Sequence, residues 1–438
     1  MRKRVRRTIR GFRRRIQGAR EWIDRWVPKR PPDPYAAFEG LDTPHLVRVP
    51  GLVTDTRSVD APRLVVLMPS LRLSRLTGGP NTVLSLTARL ALDGIRVRYV
   101  SAYLGIDRQT DPLHAHIERL AGRPLPADAI EFVDGSTPGG GVPVGRGDVL
   151  LATWWPTAHL ARDALARTGG SAFVYAIQDY EPGFYPWSST HVMADATYRF
   201  PHRSVFNQGL LRDYFRQHRV GSYGGPDEPP SVTFEPAVDR TLFHAPSPGD
   251  ARPPRRRLLF YARPRIERNA FELGLRGLRL AAAQGAFDPE AWELRSVGTS
   301  LPDFALAPGV SLVNAPWLPY ADYAAYLRDS SILLSLMLSP HTSYPPLEMA
   351  ASGGTVITNT FDVKTADLLS AISPGIRGVA ADPDAIADAL VRAVADVDGT
   401  ERHGHDAAAF GLPATWDESL ATAVPWLAAT VRELAAGH

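Results

Sequence analysis

The 438 residues exceed what a single hydrophobic core commonly organises, so two or three domains are expected. With 44% hydrophobic and 22% charged residues the chain reads as a globular enzyme. Its longest apolar stretch, Ile332-Leu-Leu-Ser-Leu-Met-Leu338, is far below the ~18 residues of a membrane span, and the lack of cysteine excludes disulfide scaffolds, thiolate catalysis, iron–sulfur clusters and cysteine-ligated zinc.

The net charge of +3 is unevenly placed. Residues 1–30 hold thirteen Lys/Arg against Glu21 and Asp24, a charge of +11, which leaves −8 on the rest. Val5, Ile9, Phe12, Ile16, Ala19, Ile23 and Trp26 recur at alternating steps of four and three, one face of a helix with arginines over the remainder. Gly11 and Gly18 weaken that helix by about 1 kcal/mol each, and Pro28 and Pro31-Pro32 end it. A basic amphipathic helix of this kind suits an anionic membrane surface. A solubility tail, a nucleic-acid arm and packing on the protein itself are the alternatives, although phosphate binding requires no apolar face and no nucleic acid is expected. No signal-peptide apolar core follows the positive tip, so the expected location is cytoplasmic, peripheral on the inner face of the cell membrane.

Residues 31–60 are Pro-rich and read as a linker with local packing. From Arg63, short apolar runs alternate with helical patterns. The first series of runs is Leu64–Met68, Val97–Val100, Asp148–Ala152, Phe173–Ile177 and Arg203–Phe206. Helices are expected over 81–93 and 158–167 among others. Prolines at 229–230 and 246–254 mark a boundary, and a second series follows at Leu258–Ala262, Leu294–Val297, Val310–Val313, Ile332–Leu336 and Thr355–Thr358. Helices are expected between these at 271–284, 321–328, 346–352 and 384–397, and the chain closes on a helical pattern from Trp416 to Leu434. Strand–helix alternation of this kind predicts parallel sheets, and ligands of such sheets bind at the carboxyl ends of the strands.

Four strand-end segments carry candidate chemistry. After the first strand, Gly78-Gly79-Pro-Asn81 precedes a helix and lets backbone amides approach a phosphate, although a plain strand–helix turn reads the same way. The glycines at 139–141, 145 and 147 read as a loop. Gln178-Asp179-Tyr-Glu181 with Phe184, Tyr185 and Trp187 sets two carboxylates beside aromatics, a composition suited to hydroxyl binding and sugar stacking, or to a cap over core aromatics. Arg263-Pro-Arg265-Ile-Glu-Arg268 offers guanidiniums able to clamp a diphosphate. Ser339-Pro-His341-Thr342-Ser343-Tyr344-Pro-Pro-Leu-Glu348 runs into a helix that Pro345-Pro346 starts and Gly353-Gly354 stops. Glu348 is then expected in its first turn, with Tyr344 just ahead of it. Neither His114/His116 with Glu118 nor His403/His405 with Asp406 fits a common ligand spacing, and no metal is expected. Asp382-Pro-Asp384 and Asp396-Val-Asp398 read as the cap and exit turn of one helix. No Walker loop, GxGxxG or GxSxG occurs.

Together these segments resemble GT-B glycosyltransferases related to family 4, and more narrowly the WsaF-type bacterial rhamnosyltransferases. The resemblance covers about residues 60–436. Its most specific piece is Ser339–Gly353. Phe260-Tyr-Ala-Arg-Pro264, Ala176–Pro186 and Phe234-Glu-Pro-Ala-Val-Asp-Arg-Thr-Leu-Phe243 support it. The resemblance implies an α/β GT-B fold, two doubly wound Rossmann-like domains facing across a cleft. An acceptor-side domain (61–245) and a nucleotide-sugar domain (246–411) would be followed by a terminal helix (412–438) crossing back onto the first. It further implies a retaining, metal-independent transferase with no cofactor beyond its donor, expected to be dTDP-L-rhamnose, and a saccharide or lipid-linked saccharide acceptor.

Carried onto this chain, Arg263 and Arg268 match the residues that hold the donor diphosphate, and Asp179 matches the acceptor side near the reaction. Glu348 matches the ribose-binding Glu, with His341, Thr342, Ser343 and Tyr344 beside it. Gly78, Gly79, Asn81 and Glu181 match substrate-lining positions. Two positions depart from the pattern: Pro340 stands where the first Glu of the paired-Glu motif falls, and Trp317 where a Lys is common. A GT-B enzyme with another sugar nucleotide, as transferase or epimerase, and a non-catalytic glycan-binding scaffold are the alternatives.

Overall fold

A strand covered by helices on both faces needs apolar side chains at successive positions, and Leu64, Val65, Val66 and Leu67 are all fully buried. The structure is a computed structural model, and it describes residues 52–136, 141–247, 253–315, 318–398 and 410–437. The arm at 1–30, most of the expected linker, Trp317, His403, His405 and Asp406 lie outside these residues.

The first sheet contains β1 (Leu52–Met68), β2 (Arg96–Ser101), β3 (Ile130–Asp134), β4 (Val142–Ala152), β5 (Phe173–Ile177), β6 (His202–Asn207) and β7 (Ser231–Phe234). Their order is β3-β2-β1-β4-β5-β6-β7, and every pair is parallel. The second sheet contains β8 (Arg256–Tyr261), β9 (Trp292–Val297), β10 (Phe304–Ala307), β11 (Val310–Asn314), β12 (Ile332–Leu334), β13 (Thr355–Asn359) and β14 (Ile376–Val379). It is ordered β10-β11-β9-β8-β12-β13-β14, with β10 alone antiparallel to its neighbour. The chain direction of winding reverses between β1 and β4 in the first sheet and between β8 and β12 in the second. Such switch points open a crevice at the carboxyl ends of the strands.

The helices that bear on the site are α1 (Gly78–Leu92), α2 (Asp111–Ala121), α3 (Trp155–Thr168), α4 (Ser189–Ala196) and α5 (Gly209–Gln217) around the first sheet. Around the second are α6 (Phe271–Ala283), α7 (Tyr320–Arg328), α8 (Tyr344–Ala351), α9 (Ala366–Ile372) and α10 (Pro383–Asp398). The Asp382 carboxylate accepts from the amides of Asp384 and Ala385 and caps α10. Two last helices, α11 (Trp416–Ser419) and α12 (Ala423–Ala436), return to the first sheet. Leu420, Val424, Leu427, Val431 and Leu434 are buried in one cluster with Val66, Leu86, Val149, Val174, Val205 and Val232.

Three expectations are corrected here. The linker does not extend to residue 60: β1 begins at Leu52, because Leu52, Val53 and Thr54 pair with Val142, Pro143 and Val144. Gly145 and Gly147 accordingly lie inside β4 rather than in a loop, and Gly147 takes a left-handed φ of 86° open to glycine without strain. Expected strand Ile332–Leu336 stops at Leu334. The strands that apolar runs did not announce, β3, β7, β10 and β14, are short sheet edges or lie next to them. Ile130–Asp134 and Phe304–Ala307 contain no fully buried residue.

Candidate active site

The carboxyl end of β5 delivers Asp179 into the interior. Its Oδ1 accepts a hydrogen bond from the Ser339 hydroxyl at 2.7 Å, and its Oδ2 faces His341 Nε2 at 3.4 Å and Arg268 Nε at 3.6 Å. The partners come from two loops of the second sheet, one after β8 and one after β12. Burial alone would raise the Asp179 carboxyl, but the charges of His341 and Arg268 and the bonds from His341 and Ser339 prevail and hold it at about 2. Asp179 is therefore a carboxylate at any physiological pH.

Glu181, two residues on, behaves in the opposite way. It is buried, and burial, helped by the Asp179 charge, pushes it up to about 8 even though the Trp155 amide donates to its Oε2 at 2.6 Å. Two neighbouring carboxyls thus sit in different protonation states near neutral pH, the arrangement by which acid and base roles are separated. Around them runs an aromatic wall. Tyr103 meets Trp154 edge-on at 5.2 Å, Trp155 donates from Nε1 to the Tyr185 hydroxyl at 2.9 Å, and the Arg268 guanidinium lies 4.3 Å over the Phe184 ring. Trp187 is 94% exposed and stacks on His191.

The three arginines after β8 do not act as one clamp. Arg268 turns toward Asp179 and Phe184, while Arg265 is exposed. Arg263 donates to the Tyr261 hydroxyl at 3.3 Å and lies against Gly298, whose left-handed φ of 104° brings the end of β9 close to it. Arg263 makes no ion pair among the described residues, so its charge is free for an anion.

Helix α8 begins one residue before its two prolines, so Tyr344 is its first residue and Glu348 lies a full turn further in, not in the first turn. The prolines occupy positions whose amides have no intrahelical partner, which is why the start falls there. Glu348 is buried, accepts from the Tyr320 hydroxyl at 3.3 Å, and is pushed by burial to about 7. Tyr344 is half-buried, and its hydroxyl shares a 2.9 Å hydrogen bond with Thr82 of α1. Gly78 and Gly79 form the first turn of α1. A Cβ at Gly78 would meet nothing within 4 Å, whereas one at Gly79 would lie 2.9 Å from the Gln178 amide oxygen. Asn81 is fixed by His116 at 2.9 Å, and His114 faces Glu118 at 3.6 Å along α2.

Thr342 makes the tightest cross-cleft link. Its hydroxyl accepts from Gln208 Nε2 at 2.5 Å, and its amide donates to Gln208 Oε1 at 2.9 Å. Gln208 takes φ 87° and ψ 142°, a backbone conformation that only glycine adopts freely, and does so while buried. Ser343 Oγ, Gln178 Oε1 and Tyr103 OH are buried without a hydrogen-bond partner. The structure therefore brings Asp179, Arg268 and His341 together. It sets Thr342 and Tyr344 across the cleft against Gln208 and Thr82, and places Arg263 and Glu348 on the second sheet's side. Gln208 and Thr82 were missed from sequence as cross-cleft partners, and Gln208 following a strand end is the one positional cue.

Two family models cover the two sheets: the WsaF N-terminal domain matches residues 63–208 and the WsaF C-terminal domain matches residues 256–391. The chain belongs to the WsaF family. Its fold is of the GT-B type. Over 226 residues it is 35% identical to the O-antigen biosynthesis protein RfbC of Myxococcus xanthus, a stretch that is 48% of this chain and 15% of that much longer relative. Among solved structures, Anabaena HepE in complex with UDP and glucose superposes with a TM-score of 0.56 at 14% identity, covering 85% of this chain and 100% of HepE. The N-terminal domain of Candida albicans trehalose-6-phosphate phosphatase superposes at 0.53 with 11% identity, covering 88% and 99%. At these identities the likeness is one of fold.

Proposed function

We propose that this WsaF-family protein transfers L-rhamnose from dTDP-L-rhamnose to a saccharide acceptor, with retention at the anomeric carbon, in the synthesis of a cell-surface glycan such as an O-antigen. The observation that carries the reading is the cluster at the two switch points. Asp179 of the first sheet is joined there to Arg268, Ser339 and His341 of the second, and Gln178 and Ser343 bring buried, unpaired polar atoms to the same loops. Unpaired buried polar atoms are costly unless a polar ligand satisfies them.

In this reading the donor lies on the second domain. Glu348 accepts the ribose hydroxyls, and Arg263 and Arg268 meet the diphosphate. The acceptor enters along the aromatic wall of the first domain, where a sugar's C–H face stacks on rings and its hydroxyls reach carboxylates. The acceptor oxygen forms its bond to C1 on the face from which the phosphate oxygen departs. The acceptor proton passes to that departing oxygen, so no protein nucleophile is needed. The arginines stabilise charge that grows on the leaving group, and the cross-cleft bonds orient the two sugars and exclude water. A 6-deoxy sugar asks for fewer polar contacts, in keeping with Pro340 at the position of the family's sugar-binding Glu.

The test is nucleotide release from a panel of dTDP- and UDP-sugars, with and without a rhamnose-containing acceptor and with EDTA present. Acceptor-dependent release of dTDP from dTDP-L-rhamnose, unchanged by EDTA, is expected. Release from a UDP-sugar alone overturns the donor assignment, loss of activity in EDTA overturns the metal-independent mechanism, and release from none overturns the transferase reading.

A further inference from the structure

Lys364 is 1% exposed, in the turn that follows β13. Its ammonium donates to the Met337 carbonyl at 2.8 Å and reaches the His341 carbonyl at 3.5 Å. No carboxylate forms a salt bridge with it among the described residues, which is unusual for a buried lysine. We propose that Lys364 is a positioning residue of the donor site, holding the Met337–His341 segment so that Ser339 and His341 face Asp179. This rests on the reading of that segment as donor-binding.

The segment needs such a tie. β12 ends at Leu334, and the following residues leave the sheet ladder. Met337 is held by Asn359, which accepts from its amide at 2.7 Å and donates to its carbonyl at 3.1 Å. Leu338 donates to the Arg268 carbonyl at 2.7 Å. The His341 carbonyl is reached by Lys364, while His341 Nδ1 donates to the Thr342 carbonyl at 2.8 Å. Removing the ammonium frees the His341 end of the stretch that carries Ser339 and leaves the Met337 end to Asn359 alone.

The same turn also touches the first domain. Phe361 and Lys364 close it by reciprocal backbone hydrogen bonds, and Asp362, at φ 49°, accepts from His218 at 2.8 Å and from Gln217 at 3.3 Å at the end of α5. One four-residue turn thus grips the opposite domain with Asp362 and the donor segment with Lys364. The turn therefore links the donor segment to the opposite domain. The groups around the ammonium are Asp179 and His341 across the segment, Arg268 beyond Asp179, and the Asp362–His218 pair on the far side of the turn. Burial lowers Lys364 to about 7 against the raising influence of Asp179.

The experiment compares Lys364→Met and Lys364→Arg in the full chain. Hydrogen exchange of the amides at 338–342 is read without any donor, and steady-state kinetics are read with dTDP-L-rhamnose and a rhamnose-containing acceptor. Lys364→Met is expected to exchange those amides at least tenfold faster. It is also expected to lower kcat by roughly tenfold to a hundredfold, the scale of an ångström-sized misplacement, with donor KM within threefold. Lys364→Arg is expected to restore much of both and to abolish a fall in wild-type kcat as pH rises through about 7. Unchanged exchange in a folded Lys364→Met variant overturns the proposal whatever the donor proves to be. Wild-type kcat in that variant overturns it while leaving the transferase reading intact. A wild-type protein that turns over no sugar nucleotide overturns the transferase reading, and the exchange result still decides whether Lys364 holds the segment.

Discussion

Neighbouring charges give buried carboxyls of one site opposite behaviour. Asp179 is held at about 2 by its cationic neighbours, whereas Glu181 rises to about 8 and Glu348 to about 7 because little opposes their burial. A carboxyl whose pKa is higher folded than unfolded favours folding at low pH, and that contribution is lost as pH rises through the folded value. The thermal stability of the wild type relative to Glu181→Gln should therefore fall as pH rises from about 5 to 8. Each kcal/mol is worth roughly 2–4 °C in a domain of this size, and differential scanning calorimetry across pH checks it. For Glu348 the readout is donor KM. A carboxylate accepts two ribose hydroxyls better than its acid does, so KM should rise below about pH 7 in the wild type and stay level in Glu348→Gln. Arg263→Ala should weaken donor binding and also lower kcat by about a hundred- to a thousandfold, because its charge meets the diphosphate and is worth most as negative charge grows on the leaving group.

At the scale of elements, Gln208 separates strain from function. Its φ of 87° suits glycine, so Gln208→Gly should be more stable than Gln208→Ala by about 1–2 kcal/mol, measured by denaturant unfolding. Both should lose transfer activity alike, since both lack the bridge to Thr342. This residue also marks where the sequence ceased to be legible. The central strands were readable because burial on both faces demands unbroken apolar runs, as at Leu64–Leu67 and Phe173–Ile177. Edge strands such as Ile130–Asp134 bury less and leave no such run. Loops at strand ends announced Asp179, Arg268 and His341 by residue type. The partners that fix them, Gln208 and Lys364, are single polar residues whose meaning lies wholly in contacts more than twenty residues away along the chain. Glu348 was placed a turn too early because proline-rich starts permit more than one first residue, and the helix takes in Tyr344.

For the whole molecule, the cleft is crossed by polar contacts only in part alike. Thr82 with Tyr344, Gln208 with Thr342, and His218 with Asp362 are direct bonds, while Arg268 both stacks on Phe184 and faces Asp179. Among the described residues no helix is long and apolar enough to cross a membrane. Separately, we propose from its sequence pattern that the basic arm at 1–30 binds an anionic membrane surface. Deleting it should leave activity on a short soluble acceptor unchanged and lower binding to vesicles containing anionic lipid, as measured by co-sedimentation. Equal sedimentation of both forms would reject that role.

The return of α12 to the first sheet has a consequence for how the protein is made. Leu427, Val431 and Leu434 cover Val66, Val149 and Val205, yet the whole of the second sheet is synthesised between them. On the ribosome the first domain therefore emerges with one apolar face bare, and it waits through residues 256–379 before its cover exists. The second domain, whose strands and helices are contiguous in sequence, can complete its own core sooner. A nascent chain stalled at residue 412 should accordingly bind a hydrophobic dye or a chaperone through its first domain, and one stalled with residues 413–437 clear of the exit tunnel should not.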